Sequence, residues 1–289
     1  METTKCPTVL RPSRNRRTAV LGLALVCLAV TAAIAPSAPA VPVERIVSIV
    51  PSATEMIYAL GLGDRLVADT RNCDYPATAR SKPHIGDMNV NVEAVVAMRP
   101  DLVVGDADLN ARDIARLRQL NLSVLALHAS TIGDVEGNLL LLGKATGAQP
   151  AARRVVARMQ VDVKEARSIA ARDTWHPKLL RVVEYDPLYV AGHNTFVGEI
   201  IETAGAKNAV SASGYPSYSR EMAVAAMPDV ILCSRDDAPR LEADPAWRIV
   251  PAVRHHRVYT IDSNLIDRPG PRLADGLLMI ARIVRAAAG

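Results

Sequence analysis

Aromatic side chains are scarce in this chain of 289 residues, which holds seven Tyr, two Trp and a single Phe. Cysteine is nearly absent. Of the four, Cys6 and Cys27 fall in the first forty residues, leaving Cys73 and Cys233. Several catalytic signatures are missing: there is no G-x-S-x-G elbow, no P-loop, no G-x-G-x-x-G opening a helix, no C-x-x-C and no H-E-x-x-H. Serine-hydrolase, nucleotide-binding, thiol-redox and zinc-protease chemistries therefore have no motif to rest on. Beyond residue 40 no apolar run is long enough to span a bilayer.

Excess charge of one sign is also lacking once the beginning of the chain is set aside. The whole sequence carries 34 Lys/Arg and 30 Asp/Glu, and residues 1–40 hold five of the former and one of the latter, leaving 29 of each. The basic balance thus belongs to the first forty residues, and a nucleic-acid surface is not expected.

Those forty residues read as a secretory signal peptide. Arg11, Arg14, Arg16 and Arg17 precede an apolar run from Thr18 to about Ala35, and Ala38-Pro39-Ala40 is a small-x-small cleavage site. An uncleaved anchor is the alternative, and Arg16-Arg17 raises a twin-arginine route. A lipoprotein fits less well, because Cys27 lies deep in the apolar run behind Val26. The expected location is the periplasm.

Residues 41–289 alternate short β-rich runs with helical patterns, which predicts an α/β fold with mostly parallel sheets. Strands are expected at Arg45–Val50, Asp101–Gly105, Ser123–His128, Leu179–Glu184, Asp229–Cys233 and Arg257–Ile261. Helices are expected at Ser52–Leu60, near Asn110–Gln119, at Phe196–Ala204 and at about Pro271–Ala287. From Gln149 to Ala171 the chain is rich in Ala, Arg, Val and Glu, with Pro150 only at its start. That predicts a helix about 33 Å long, enough to join two lobes stiffly. The organisation expected is a lobe over 41–148, a bridging helix over 149–172 and a second lobe over 173–289, with Cys73 and Cys233 in different lobes and unpaired.

The halves echo one another. Asn91-Val-Glu93 opens a helical run reaching Pro100-Asp101, and Ser219-Arg-Glu221 opens one reaching Pro228-Asp229, with seven residues from Glu to Pro in both. Glu55 lies six residues before Gly61, and Glu199 six before Gly205. Two matches in one order indicate a repeated unit.

Two such lobes enclose a cleft, lined by the loops that follow strands. Tyr75, Tyr189, Tyr215 and Tyr218 fall in those loops, where flat rings with polar tips suit a large, partly apolar ligand; packing of the loops themselves is the alternative. Glu93 and Glu221 stand just past the N-caps Asn91 and Ser219, where a carboxylate is favoured by the helix dipole. Their equivalence would also present one acid per lobe to a two-fold symmetric permease. His84, His128 and His193 lie in the predicted cleft loops and admit a three-histidine metal site, or are ordinary scattered histidines.

Arg45-Ile-Val-Ser-Ile-Val-Pro-Ser-Ala-Thr-Glu55, Cys73-Asp-Tyr-Pro76, the two Glu-to-Pro-Asp segments and Pro269-Gly-Pro-Arg272 resemble the periplasmic binding proteins for vitamin B12, iron-siderophores and haem. The resemblance runs in order through residues 41–289 and implies a class III fold: two α/β lobes bridged by one rigid helix, with little hinge closure. It is nearest to the vitamin B12 branch, through Asp74-Tyr75-Pro76 and Tyr215–Glu221. It implies a non-enzymatic monomer without a cofactor, delivering a corrinoid to an ABC permease dimer. Tyr75, Tyr189 and Tyr215 match rings that line the corrinoid site, and Glu93 and Glu221 match the acids that engage permease arginines. Asp87 stands where the vitamin B12 protein has a stacking tryptophan, Tyr215 replaces another ligand-facing residue, and Asn264 stands near an expected acid. With Arg268 these complete the predicted ligand set. A haem binder would use Tyr75, Tyr215 or His128 on iron, and an anionic siderophore Arg71, Arg268 and Arg272. A secreted metalloenzyme built on the histidines is the reading from another class.

Overall fold

The first strand begins where the apolar run Ile46–Ser48 becomes fully buried. The structure is a computed structural model describing residues 42–87 and 89–288. The signal-peptide reading lies outside the described residues.

The N-terminal half contains β1 (Ile46–Ser48), α1 (Pro51–Ala59), β2 (Leu66–Ala68), α2 (Val92–Ala97), β3 (Leu102–Asp106), α3 (Ala111–Gln119), β4 (Val124–Leu127) and α4 (Ile132–Thr146). Next comes α5 (Gln149–Ala170). The C-terminal half contains β5 (Lys178–Tyr185), β6 (Leu188–Val190), α6 (Phe196–Thr203), β7 (Lys207–Asn208), α7 (Arg220–Ala225), β8 (Val230–Cys233), α8 (Asp237–Ala243), α9 (Pro251–Arg254), β9 (Val258–Thr260), α10 (Ser263–Ile266) and α11 (Leu273–Ala288).

Each half builds the same parallel sheet. The order is β2-β1-β3-β4 in the first, and in the second β5, β8 and β9 follow in the same sense with β7 beside β5. The second sheet adds β6, antiparallel to the far end of β5 with Tyr185 opposite Leu188. Tyr189, expected in a loop, therefore sits on a strand: the Asp186-Pro187 turn folds the chain straight back onto β5.

The repeat extends to individual hydrogen bonds. Asn91 caps α2 by accepting from Ala94 N, and Ser219 caps α7 by accepting from Met222 N. Both helices end in a left-handed residue, Arg99 and Met227. The aspartate after each proline then fastens the neighbouring strand: Asp101 Oδ2 accepts from Arg45 N at 2.8 Å, and Asp229 Oδ2 accepts from Lys178 N at 2.9 Å. Arg45 and Lys178 in turn donate to the carbonyls of Met98 and Ala226, the C-caps of α2 and α7.

The long helix α5 buries Ala152, Val156, Met159, Val163 and Ala166, a stripe with alternating steps of four and three that faces one side. Burying each of its larger side chains contributes about 1.5–3 kcal/mol relative to exposure. Both α4 and α11 pack on it. One apolar core runs through this layer from Ile46 and Val104 of the first sheet to Leu179 and Leu232 of the second, and each lobe keeps a further core on its outer side. The lobes are joined by that common core and by α11 as well as by the α5 rod. The final helix starts at Leu273, two residues later than expected, because Gly270-Pro271 still belongs to the turn before it.

Candidate functional site between the lobes

The segment 267–272, after α10, reaches back from the second lobe to the first. Arg272 donates to both carboxylate oxygens of Glu55 in α1, from Nε at 2.9 Å and from an η nitrogen at 2.6 Å. Arg268 donates to Asp74 Oδ1 at 2.6 Å, to Glu55 Oε1 at 3.4 Å and to the Asn72 carbonyl at 3.3 Å. Glu55 is only 3% exposed, so its charge is compensated by these two arginines across the lobe boundary. Burial works to raise the Asp74 carboxyl, but the hydrogen bond and charge of Arg268 hold it below its ordinary range. Gly270 eases the approach, since a Cβ there would lie 3.2 Å from Glu55 Oε2, tighter than an ordinary contact.

The same arginine meets an aromatic ring. The Arg272 guanidinium carbon lies 3.7 Å from the centre of the Tyr75 ring, a stacked cation–π contact. Tyr75 remains 45% exposed. Beside it a cavity of about 400 Å³ is lined by Glu55, Tyr58, Tyr75, Met159, Arg272 and Asp275. A second cavity, about 550 Å³, opens at the carboxyl ends of β8 and β9 around Ser234, Arg235, Asp262 and Ser263.

A second link runs in the opposite sense. Glu199, in the first turn of α6, accepts from Ile132 N at the start of α4 at 2.6 Å. Glu55 and Glu199, seen in the sequence only as markers of the repeat, thus each cross to the other lobe.

The remaining predicted positions fall as follows. Tyr189 and Tyr215 lie on adjoining segments, joined by Val190 N donating to the Pro216 carbonyl, and stay 37% and 42% exposed. Burial, then the nearby Asp267 carboxylate, pushes the Tyr215 phenol above its usual range. Asp87 is exposed and closes its own turn, accepting from Asn89 N at 3.0 Å. Asn264 lies half-buried in α10, its N–H given to Asp262. Arg268, expected to face a ligand, has its guanidinium committed to Asp74 and Glu55. Arg71 is exposed and makes no ion pair among the described residues. Tyr75 and Arg268 come together; Asp87 stands on a separate turn.

Glu93 is exposed and pairs with Arg116 at 2.7 Å. Glu221 is exposed, its carboxyl held low first by its own backbone N–H and then by the Ser219 hydroxyl. The histidines separate: His84 bonds Asp69, His128 bonds Asp108, and His193 pairs with Glu202. Among the described residues no three metal-ligating side chains cluster. Cys73 and Cys233 are buried free thiols, each pushed up by burial, Cys233 to about 11.

One buried group escaped the sequence. Asp69, fully buried after β2, bonds His84 Nδ1 through Oδ1 while its Oδ2 has no partner among the described residues, and burial pushes its carboxyl up to about 6 against the opposing pull of His84 and Lys82. The folded state therefore holds this proton more tightly than the unfolded one. The stability it supplies is complete below 3.8 and is lost as pH rises through about 6. Asp69→Asn, neutral at every pH, is expected to gain stability relative to the parent between about pH 4 and pH 7. Urea midpoints across that range measure it, and a constant difference between the two proteins would sink the assignment.

Comparison with known proteins fits this architecture. The family model for periplasmic binding proteins matches residues 46–265. An uncharacterised ABC transporter substrate-binding lipoprotein of Bacillus subtilis, YvrC, is 34% identical over 83% of this chain and 80% of its own length. The crystal structure of the vitamin B12-binding protein BtuF of Vibrio cholerae superposes with a TM-score of 0.79 at 25% identity, covering 86% of this chain and 98% of that one. The haem-binding protein RhuT from Roseiflexus sp. RS-1, in its apo form, gives 0.77 at 27% identity, covering 86% of this chain and all of that one. With twin parallel-sheet lobes, one long helix and a core common to both, the chain belongs to the periplasmic binding protein family that includes these vitamin B12- and haem-binding proteins.

Proposed function

We propose that this protein captures a corrinoid between its lobes and hands it to the permease of an ABC importer. The observation that carries the reading is the set of exposed tyrosines, Tyr75, Tyr189 and Tyr215, in a chain with only ten aromatic residues. Rings of this kind present a flat, mostly apolar face with a polar tip to a large ligand. Binding of a large chelate there needs shape and aromatic faces, and asks no chemistry of the protein. The likeness to vitamin B12-binding BtuF supports the same ligand class.

The docking step is assigned to Glu93 and Glu221. They occupy equivalent first-turn positions in α2 and α7, one per lobe, and both carboxylates are exposed. The Arg116 partner of Glu93 is no obstacle, since an exposed ion pair is worth about 0–1 kcal/mol and gives way to a permease arginine.

The rival is haem, which RhuT binds. Against it, His128 is engaged by Asp108 and Ser130. Calorimetric titrations with cobalamin, haemin and a ferric siderophore in parallel test the reading. Cobalamin is expected to bind one to one with Kd at or below about 1 μM. Haemin or the siderophore binding tighter than cobalamin would overturn it.

A further inference from the structure

Two arginines of the second lobe converge on one dipeptide of the first. Arg268 holds the carboxylate of Asp74, and Arg272 covers the ring of Tyr75. Arg272 does not choose that position by itself. Both oxygens of the buried Glu55 carboxylate fix its planar fork in two hydrogen bonds, and its side chain is 15% exposed. A bidentate pair of this kind sets orientation as well as distance. The ring is thereby held by a group from the opposite lobe, which an acid of its own lobe aims.

We propose that Glu55 and Arg272 are positioning residues for Tyr75, so that the N-terminal wall of the ligand site takes its shape from the link between the lobes. This rests on the reading of Tyr75 as ligand-facing. The link is built for close approach: Gly270 leaves room for Glu55, and Pro269 and Pro271 restrict the segment that carries both arginines. The reciprocal bond from Ile132 N to Glu199 secures the lobes at a second point. Loss of the first link therefore frees the Tyr75 ring before it separates the lobes.

A link that only stabilised the fold would leave Tyr75 no more affected than any other tyrosine. The full chain labelled with 3-fluorotyrosine reads this directly by fluorine NMR without ligand, the Tyr75 signal being assigned from Tyr75→Phe. Arg272→Lys keeps a cation for Glu55 but removes the flat face over the ring; Glu55→Gln keeps the arginine but removes its aiming charge. Each is expected to move the Tyr75 resonance toward that of free fluorotyrosine while those of Tyr189 and Tyr215 hold still. Should Glu55→Gln fail to fold, Arg272→Lys decides. An unmoved Tyr75 signal, or all seven tyrosines shifting together, overturns the proposal.

Cobalamin titration adds a second arm. Arg272→Lys is expected to weaken binding about tenfold in the native background and less than about twofold in a Tyr75→Ala background. Equal losses in both backgrounds overturn the positioning role. If the unaltered protein takes up no cobalamin, the corrinoid reading falls and the fluorine result alone judges the link.

Discussion

Asp267→Ala is expected to lower the unfolding free energy by about 3–5 kcal/mol, because it strands a buried cation. Arg181 sits in β5 with no exposed surface and gives its protons to Asp267 Oδ2 at 2.6 Å, to Ser263 Oγ at 2.8 Å and to the Val182 carbonyl at 2.7 Å. Without Asp267 a full buried charge remains with only the Ser263 hydroxyl and the Val182 carbonyl as neutral acceptors. Replacing both partners, Arg181→Met with Asp267→Leu, removes that charge along with its counter-charge and is expected to cost far less than the single change. Urea denaturation of the three proteins makes the comparison. A loss below about 1 kcal/mol for Asp267→Ala would show that Arg181 draws little from its carboxylate partner.

Glu93→Ala combined with Glu221→Ala is expected to abolish ligand uptake through the importer while leaving ligand affinity within about twofold of the parent, a change under about 0.4 kcal/mol. Both acids are exposed, and among the described residues neither bonds to a tyrosine of the site. The helices beneath them keep their N-caps, since Asn91 still accepts from Ala94 N and Ser219 from Met222 N. Transport by cells and titration of the purified protein must therefore separate. Uptake that persists in the double variant removes the docking role, and affinity that falls along with uptake places the acids in the ligand site instead.

Much of the fold was legible because it rests on local pattern. The run at Ile46, the seven-residue step from each acid to Pro-Asp and the Gly-free stretch after Gln149 all report periodicity or capping that a few neighbouring residues decide. Short elements were not: β2 and β7 span three and two residues and exist only because a longer strand lies beside them. The hairpin to β6 was hidden by Pro187, which reads as a loop residue although it sits in the turn and takes no place in the ladder. Long-range ion pairs were hidden altogether. Arg268 and Glu55 are 213 residues apart, and Arg181 and Asp267 are 86 apart. The one trace of the latter pair was a lone charge inside Leu-Leu-Arg-Val-Val. Tyr75 was found by residue type and loop position, whereas its arginine partner required the second lobe to be in place.

The apolar layer common to the two sheets also governs how the polypeptide comes apart. Neither half owns a complete interior: Leu179 and Leu232 are covered by the same layer of helices that covers Ile46 and Val104. A fragment ending before Gln149, or one beginning after Ala170, would expose to water a greasy side that the intact molecule hides. The similar halves are therefore not expected to fold as autonomous units, and the molecule is expected to melt in one cooperative transition despite its outward division into two.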